Sequence, residues 1–251
     1  SYSFYITGLP RKGYKINPMF VRDGVIVEAI YYGAYEASTY DVSASSYILD
    51  DAAGIDFAVG TGDMMASIAG AKPSSGMNNA YSLINARTTA QSRGEGWEVQ
   101  DFLSVSGVQM LMLVEYATFN SQAAIGNGIV YKASGTGNEA EPTGQTASMG
   151  NISGSATGNA HNSVSYRGIE NLWGNIWGWV DGINIKADNM PWVADHDYNS
   201  GAYSDQYTDS GVTLSNVNGY ASDINLTSSF DYAFLPSAVG ASTTTKLCDY
   251  Y

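Results

Sequence analysis

Residues 166–182, YRGIENLWGNIWGWVDG, carry three tryptophans within seven positions, Trp173, Trp177 and Trp179. Each indole is costly to place, because its large ring favours burial while its N–H group still needs a hydrogen-bond acceptor. Gly174 allows close approach of the backbone, and Asn175 can satisfy main-chain groups that a loop-rich core leaves open. We therefore interpret the three tryptophans as a structural scaffold rather than as direct ligand contacts.

The composition indicates a neutral, polar surface. Charged residues make up 14% of the 251 residues, well below the roughly 25% of typical soluble domains. The net charge is −13 with only 11 lysines and arginines, which argues against binding to nucleic acid or to anionic membranes. The longest apolar run, residues 110–114, is far too short to cross a bilayer. We predict no nucleic-acid partner and no membrane insertion.

The order of patterns along the chain predicts an α+β fold with antiparallel sheets. Residues 14–21 and 25–36 are rich in β-branched and aromatic side chains, and Asp23-Gly24 between them indicates a hairpin. Apolar spacing predicts a helix over residues 79–93, whose apolar face includes Leu83, Ile84 and Ala90. It predicts a second helix from an N-cap at Asp101 to about Thr118, whose apolar face includes Val108, Leu111 and Met112. Strand-like segments follow without helices between them, which excludes a parallel sheet.

We expect one domain over residues 1–251. Its parts are N-terminal strands with a hairpin (1–41), two helices (79–118), a long flexible loop poor in large apolar residues (133–165), and the tryptophan motif followed by a ligand-binding face (166–251).

Residues 174–179, GNIWGW, resemble the GNVWEW signature of the formylglycine-generating-enzyme branch of the C-type lectin fold. That branch includes the variable proteins of diversity-generating retroelements and phage receptor-binding tips. Residues 85–99, NARTTAQSRGEGWEV, resemble the helix and the Gly-Trp strand of the same branch. The resemblance implies two helices packed on small twisted antiparallel sheets with long irregular loops. Gly178 stands where the related motif usually has glutamate, which removes a carboxylate.

The chemistry of the enzyme members does not carry over. Those members hold copper with a pair of cysteines, whereas Cys248 is the only cysteine of this chain. The imidazole bases are His161, in the Gly/Ser-rich loop, and His196. We predict that the protein is not an enzyme, with a descendant of the oxygenase branch as the alternative.

Asp195, Asp197 and Asn199 form the Asp-x-Asp-x-Asn opening of an EF-hand calcium loop. The match ends there, because Ser200 and Gln206 stand where the loop needs glycine and a bidentate glutamate. We predict no cofactor, and calcium at these three residues is the alternative to a solvated acidic turn.

Residues 195–219 consist largely of Tyr, Ser, Asp, Asn and Gly, a composition that suits a recognition surface. The resemblance implies that the ligand-binding face lies in this part of the fold. The candidate ligand contacts are Trp192, Tyr198, Tyr203, Asp205 and Tyr207. The alternative is a polar loop whose tyrosines pack onto the domain.

These observations favour a non-enzymatic recognition module on the surface of a phage virion, at a tail fibre or receptor-binding tip. It would contact a bacterial surface glycan or protein beside other virion proteins. Display on a particle favours a homo-oligomer, because weak sites gain from multivalency. The alternative is a structural virion component, such as a capsid decoration or baseplate protein, without a ligand of its own.

Overall fold

A few helices and several small antiparallel sheets make up the described secondary structure, which confirms the predicted α+β class. The computed structural model describes residues 11–50, 62–74, 82–130, 140–156, 162–214, 219–225, 229, 233–240 and 249–250. The helices are α1 (Leu83–Gln91), α2 (Phe102–Tyr116) and α3 (Ser121–Ala124), with 3₁₀ turns at Pro18–Phe20 and Ala147–Met149. None of these described helices has both the length and the apolar character required to span a membrane.

The described strands are short. They are β1 (Val21–Arg22), β2 (Val25–Ile26), β3 (Ser38–Asp41), β4 (Ser46–Tyr47), β5 (Met64–Ala66), β6 (Gly154–Ser155), β7 (Val164–Tyr166), β8 (Ile169–Glu170), β9 (Ile183–Ile185), β10 (Pro191–Val193), β11 (Thr208–Asp209), β12 (Gly219–Ile224), β13 (Pro236–Gly240) and β14 (Asp249–Tyr250).

The chain divides into two compact units, each assembled from separate segments. Unit 1 comprises Ser1–Ile30, Gln100–Ser121 and Val180–Tyr251, and unit 2 comprises Tyr31–Val99 and Gln122–Trp179. The expectation of a single domain over residues 1–251 stays a prediction.

The described part of unit 1 begins with a tight hairpin in which β1 pairs antiparallel with β2. Asp23 and Gly24 connect the strands with φ of 47° and 71°, the left-handed values that a two-residue type I′ turn requires. The hairpin is confirmed, but its strands are much shorter than the predicted 14–21 and 25–36. Pro18 is one reason, because it begins a 3₁₀ turn that Asn17 caps through the backbone N–H of Met19 at 3.0 Å.

Helix α2 begins at the predicted N-cap. The carboxylate of Asp101 accepts a hydrogen bond from the backbone N–H of Ser104 at 3.0 Å, and Arg22 pairs with the other carboxylate oxygen at 2.9 Å. The helix ends at Ala117, whose φ of 50° is left-handed. One acidic side chain therefore both starts α2 and holds the hairpin strand β1 to it.

The buried face of α2 agrees only in part with the predicted one, since Val108 and Met112 are buried as expected. Leu111, expected to face the core, is exposed, whereas Ser106 and Gly107 are buried. Apolar side chains surround the helix almost completely, so their spacing does not select a face. Small residues select it instead, because a side chain at Gly107 would overlap the sulfur of Met19 and the hydroxyl of Ser106 accepts a hydrogen bond from the backbone N–H of Phe234.

The core of unit 1 joins the start of α2 to the sheet β11-β10-β9 and to the segments 212–214 and 233–235. Phe102 packs against two groups of buried side chains, one formed by Leu103, Val193 and Ala233 and the other by Val212, Leu214 and Leu235. The sheet that contains β10 is thereby fixed to α2.

Unit 2 contains the sheets β4-β3-β5 and β6-β7-β8 and the helix α1. Ser82 caps α1, and Ala86 and Ala90 pack with Val99 and, from β5, Met65. The predicted helix at 79–93 is confirmed from Leu83 to Gln91; residues 79–81 lie outside the described residues. Ile84, predicted on the apolar face, is exposed.

Residues 133–165, predicted to be a long flexible loop, contain secondary structure where they are described. Strand β6, the first residues of β7 and the turn at Ala147–Met149 lie within this range. Thr143 and Thr146 are buried, and the hydroxyl of Thr143 donates to the carbonyl of Ile68 at 2.7 Å. The loop prediction is therefore wrong for these residues. It relied on the lack of large apolar side chains, but buried threonine hydroxyls hold this part of the chain through hydrogen bonds.

Candidate ligand-binding surface

Strand β10 carries Trp192 in the middle of the three-stranded sheet β11-β10-β9. Trp192 pairs with Asn184 on β9 and with Asp209 on β11, and directly opposed residues point to the same face of a sheet. Two backbone hydrogen bonds close the β9–β10 turn. The N–H of Lys186 donates to the carbonyl of Met190 at 3.0 Å, and the N–H of Asn189 donates to the carbonyl of Lys186 at 2.9 Å. This turn places Lys186 beside Trp192.

Three side chains form what we call the Lys186 cluster, namely Lys186, Trp192 and Tyr203. The Lys186 ammonium lies 4.3 Å from the centre of the Trp192 ring and 5.4 Å from that of Tyr203. The two rings meet edge to face with centroids 6.2 Å apart, a favoured aromatic geometry. All three side chains are partly exposed, and the Tyr203 hydroxyl donates to the carbonyl of Ile185 at 3.2 Å.

The indole nitrogen of Trp192 is buried and has no hydrogen-bond partner among the described residues. A buried N–H group without an acceptor costs about 1–3 kcal/mol. The Lys186 cluster thus combines two ring faces, an ammonium group and an unsatisfied donor.

The loop that carries Tyr203 is fixed by its own hydrogen bonds. The amide of Asn184 donates to the carbonyls of Asn199 and Ala202 at 2.8 and 3.1 Å, and Gln206 donates to the carbonyl of Asp197. The backbone N–H of Asn199 donates to the hydroxyl of Tyr207 at 3.0 Å.

The five predicted contact residues have different positions. Trp192 and Tyr203 lie together and Asp205 is exposed, but Tyr207 is only 3% exposed and belongs to the core. Its predicted role as a ligand contact is wrong, because its hydroxyl is occupied by the Asn199 backbone. Tyr198 is half-buried beside Gly182, where an added Cβ would lie 3.0 Å from the tyrosine ring.

Lys186 was missed by the sequence reasoning. The signal that could have identified Lys186 is its position in a short turn between two strands, one of which carries a tryptophan. A lysine at such a position is uncommon in a chain with only 11 lysines and arginines.

The acidic segment around His196 is linked by a hydrogen bond and a close charge contact. Asp195 bonds Nδ1 of His196 at 2.6 Å, and Asp23 lies 3.6 Å from Nε2. The hydrogen bond to Asp195 is the main reason why the pKa of His196 is raised above its usual 6.5. Among the described residues no group of three or more His, Cys, Asp or Glu side chains could hold a metal ion. His161 and Cys248 lie outside the described residues.

Part of the tryptophan motif is built into unit 2. The indole of half-buried Trp173 donates to the carbonyl of Gly126 at 3.1 Å. Gly174 has φ of 84°, and an added Cβ would lie 2.7 Å from the backbone nitrogen of Ile129. The main-chain N–H of Asn175 donates to the carbonyl of Ile129 at 2.8 Å.

The side chain of Asn175 makes three further hydrogen bonds. It accepts from the Glu141 backbone N–H at 2.8 Å, donates to the Glu141 carbonyl at 3.1 Å and donates to the carboxylate of Glu36 at 2.6 Å. Asn175 therefore satisfies main-chain groups of a loop, as its type and position suggested.

Glu36 joins two asparagines of this region. Its carboxylate also accepts from the amide of Asn171 at 3.0 Å. Burial raises the pKa of Glu36 from 4.5 to about 7, although hydrogen bonds from Asn175, Asn171 and the Ile176 backbone act in the opposite direction. The nearby Glu170 adds to the increase.

The other two tryptophans of the motif are not buried. Trp177 is 80% exposed and Trp179 is 49% exposed, so the expectation that all three indoles form the scaffold is wrong for these two. The anchoring is done by Trp173, Gly174 and Asn175.

No protein-family model, no curated protein and no solved structure matches the chain. The functional proposal therefore depends on the residues and on the sequence resemblance.

Proposed function

We propose that this protein is a non-enzymatic recognition module of a phage virion that binds a bacterial surface glycan or protein. In this proposal the chain has a C-type-lectin-like fold of the formylglycine-generating-enzyme branch and is displayed at a tail fibre or receptor-binding tip. It acts as a homo-oligomer at the virion surface, without a cofactor.

The Lys186 cluster is the observation that carries this proposal. Ligand sites typically combine aromatic surface with a few polar groups that fix orientation. The rings of Trp192 and Tyr203 offer the aromatic surface, while the ammonium of Lys186 offers a donor to ligand oxygen atoms. Because the loop of Tyr203 is already ordered by hydrogen bonds, binding loses little conformational entropy.

The sequence supports the same function in two ways. A surface with few charges and many Tyr, Ser, Asn and Gly side chains suits recognition, and the GNIWGW motif resembles proteins in which this fold binds ligands. Fold resemblance alone does not establish function, so the proposal requires a direct binding test.

The test is a glycan array combined with whole-cell binding, comparing the parent with Tyr203→Ala and Lys186→Gln. An aromatic contact contributes about 1 kcal/mol, so Tyr203→Ala should weaken binding about fivefold. Tyr31→Ala is the matched control, since Tyr31 is an exposed tyrosine of unit 2. The proposed surface is refuted if Tyr203→Ala and Lys186→Gln both bind as tightly as the parent.

The second candidate is a structural virion component, and the β1–β2 hairpin favours it. Val25 and Ile26 follow one another on β2 and are 64% and 58% exposed, as expected for side chains that become covered on assembly. Light scattering over a concentration series, together with the binding assays, distinguishes the candidates. The structural role is favoured if the parent binds no cells or glycans but self-associates, and if Val25→Ser loses that self-association.

A further inference from the structure

Trp177 and Trp179 are exposed although tryptophan is among the more buried residue types on average. They are the exposed side chains at the end of the motif, 80% and 49% exposed, and the residue between them is Gly178. Two residues apart along any chain, their Cα atoms lie within about 7 Å of each other. The Cα atoms that carry the two indoles are therefore close together, and the glycine between them has no side chain.

The segment that carries these indoles is anchored immediately before them. Gly174 lies against Ile129, and Asn175 is held by Glu36 and Glu141. Pre-ordering of a contact segment lowers the entropic cost of binding. The backbone immediately before the exposed rings is therefore held in place.

The exposed area limits what can cover the rings. A tryptophan buries about 150–250 Å² when fully covered, so the exposed parts of Trp177 and Trp179 together offer roughly 200–300 Å². A stable protein interface needs about 800 Å² from each partner. The indole pair is therefore too small to form such an interface, but it suits a small ligand.

The chemistry of the segment indicates the class of that ligand. Residues 171–179, NLWGNIWGW, contain no charged side chain, so nothing within the segment would pair with a carboxylate or sulfate. The negative face of an aromatic ring attracts positively polarised C–H groups. A sugar ring presents such groups on its faces.

We propose that Trp177 and Trp179 form a stacking platform for a neutral saccharide on unit 2, separate from the Lys186 cluster. The platform rests on the exposure and anchoring of these indoles and does not depend on the proposed virion function.

The experiment titrates the purified full chain with neutral hexose oligomers of one to six sugars, followed by intrinsic fluorescence and calorimetry. The variants are Trp177→Ala, Trp179→Ala and the double substitution. Trp97→Ala is the control, since Trp97 is another exposed tryptophan of unit 2 and lies under Arg93 at 4.9 Å. Thermal unfolding checks that each variant folds.

We expect the parent to bind at least one oligomer, the double variant to bind at least tenfold more weakly, and Trp97→Ala to bind as the parent does. Absence of binding by the parent, or equal binding by a folded double variant, overturns the platform. A change from oligomer to monomer in the double variant, seen by light scattering, would also overturn it and would assign the indoles to a contact between copies.

Discussion

Replacing Glu36 with glutamine should abolish a pH dependence of stability that is built into unit 2. Burial of this carboxyl raises its pKa from 4.5 to about 7, against the hydrogen bonds donated by Asn175 and Asn171. The folded protein therefore keeps a proton on Glu36 at pH values where the unfolded chain has released it.

The sign and size follow from proton linkage. Between pH 4.5 and 7 the folded state binds more protons than the unfolded state, so the free energy of unfolding falls as pH rises. The contribution is fully present below pH 4.5 and is lost by the time the pH passes the folded-state pKa of about 7. The difference between the two pKa values corresponds to about 3 kcal/mol.

Urea denaturation from pH 4 to pH 8 measures the effect. Glu36→Gln keeps an oxygen that can accept from both asparagines, but it does not ionise. The free energy of unfolding of Glu36→Gln minus that of the parent should therefore increase by about 3 kcal/mol from pH 4 to pH 8. Glu95→Gln removes one exposed carboxylate of the same unit and controls for the change in net charge. Parallel stability curves for the parent and Glu36→Gln would refute the reasoning.

Two further substitutions test the anchoring of the motif and the acidic segment. Gly174→Ala adds a Cβ 2.7 Å from the nitrogen of Ile129, whereas Gly70→Ala, at nearly the same φ (83° against 84°), meets nothing within 4 Å. Both variants should lose about 1 kcal/mol of unfolding free energy, because alanine is strained in a left-handed conformation. Gly174→Ala should lose about 1–3 kcal/mol more, because its added Cβ clashes with the backbone. Equal losses in urea denaturation would contradict this expectation. Asp195→Asn should lower the pKa of His196 measured by NMR titration, because the Asp195 hydrogen bond is the main cause of its increase, and an unchanged pKa would contradict that assignment. The stabilisation from this bond is present below pH 6.5 and is lost as pH rises through the raised pKa.

Features set by neighbouring residues were predictable from the sequence. Asp-Gly specifies a two-residue hairpin because both positions accept left-handed φ, and Asp101 specifies a helix start because its carboxylate reaches the third N–H of the helix. The role of Asn175 follows similarly, since an amide carries both a donor and an acceptor for loop backbone. The lengths of the strands were not predictable, because β-branched residues favour strands only where a partner strand is available.

Which side of a helix is buried depends on distant parts of the chain. Helix α2 has apolar residues on almost every side, so the choice of face is made by Met19 and Phe234, which pack at Gly107 and Ser106. In α1 the pattern marked Leu83, Ile84 and Ala90. Leu83 and Ala90 do pack in the cluster with Val99, whereas Ile84 is exposed and the unmarked Ala86 is buried there. Close packing favours small residues at a crowded contact, and a hydrophobicity pattern does not detect that preference.

The candidate surface shows the same limit for single residues. Tyr203 and Tyr207 lie four positions apart in one tyrosine-rich segment, and composition gives no reason to separate them. Tyr207 is 3% exposed, and its hydroxyl accepts the backbone N–H of Asn199. Tyr203 is partly exposed, its hydroxyl donates to the carbonyl of Ile185, and its ring lies beside Lys186 and Trp192. Both hydroxyls have backbone partners, as buried polar groups need, so the exposure of the ring separates the two: Tyr207 belongs to the scaffold and Tyr203 is available to a ligand. By this criterion the proposed recognition surface centres on β9, β10 and Tyr203, and the loop of residues 195–207 is chiefly its support.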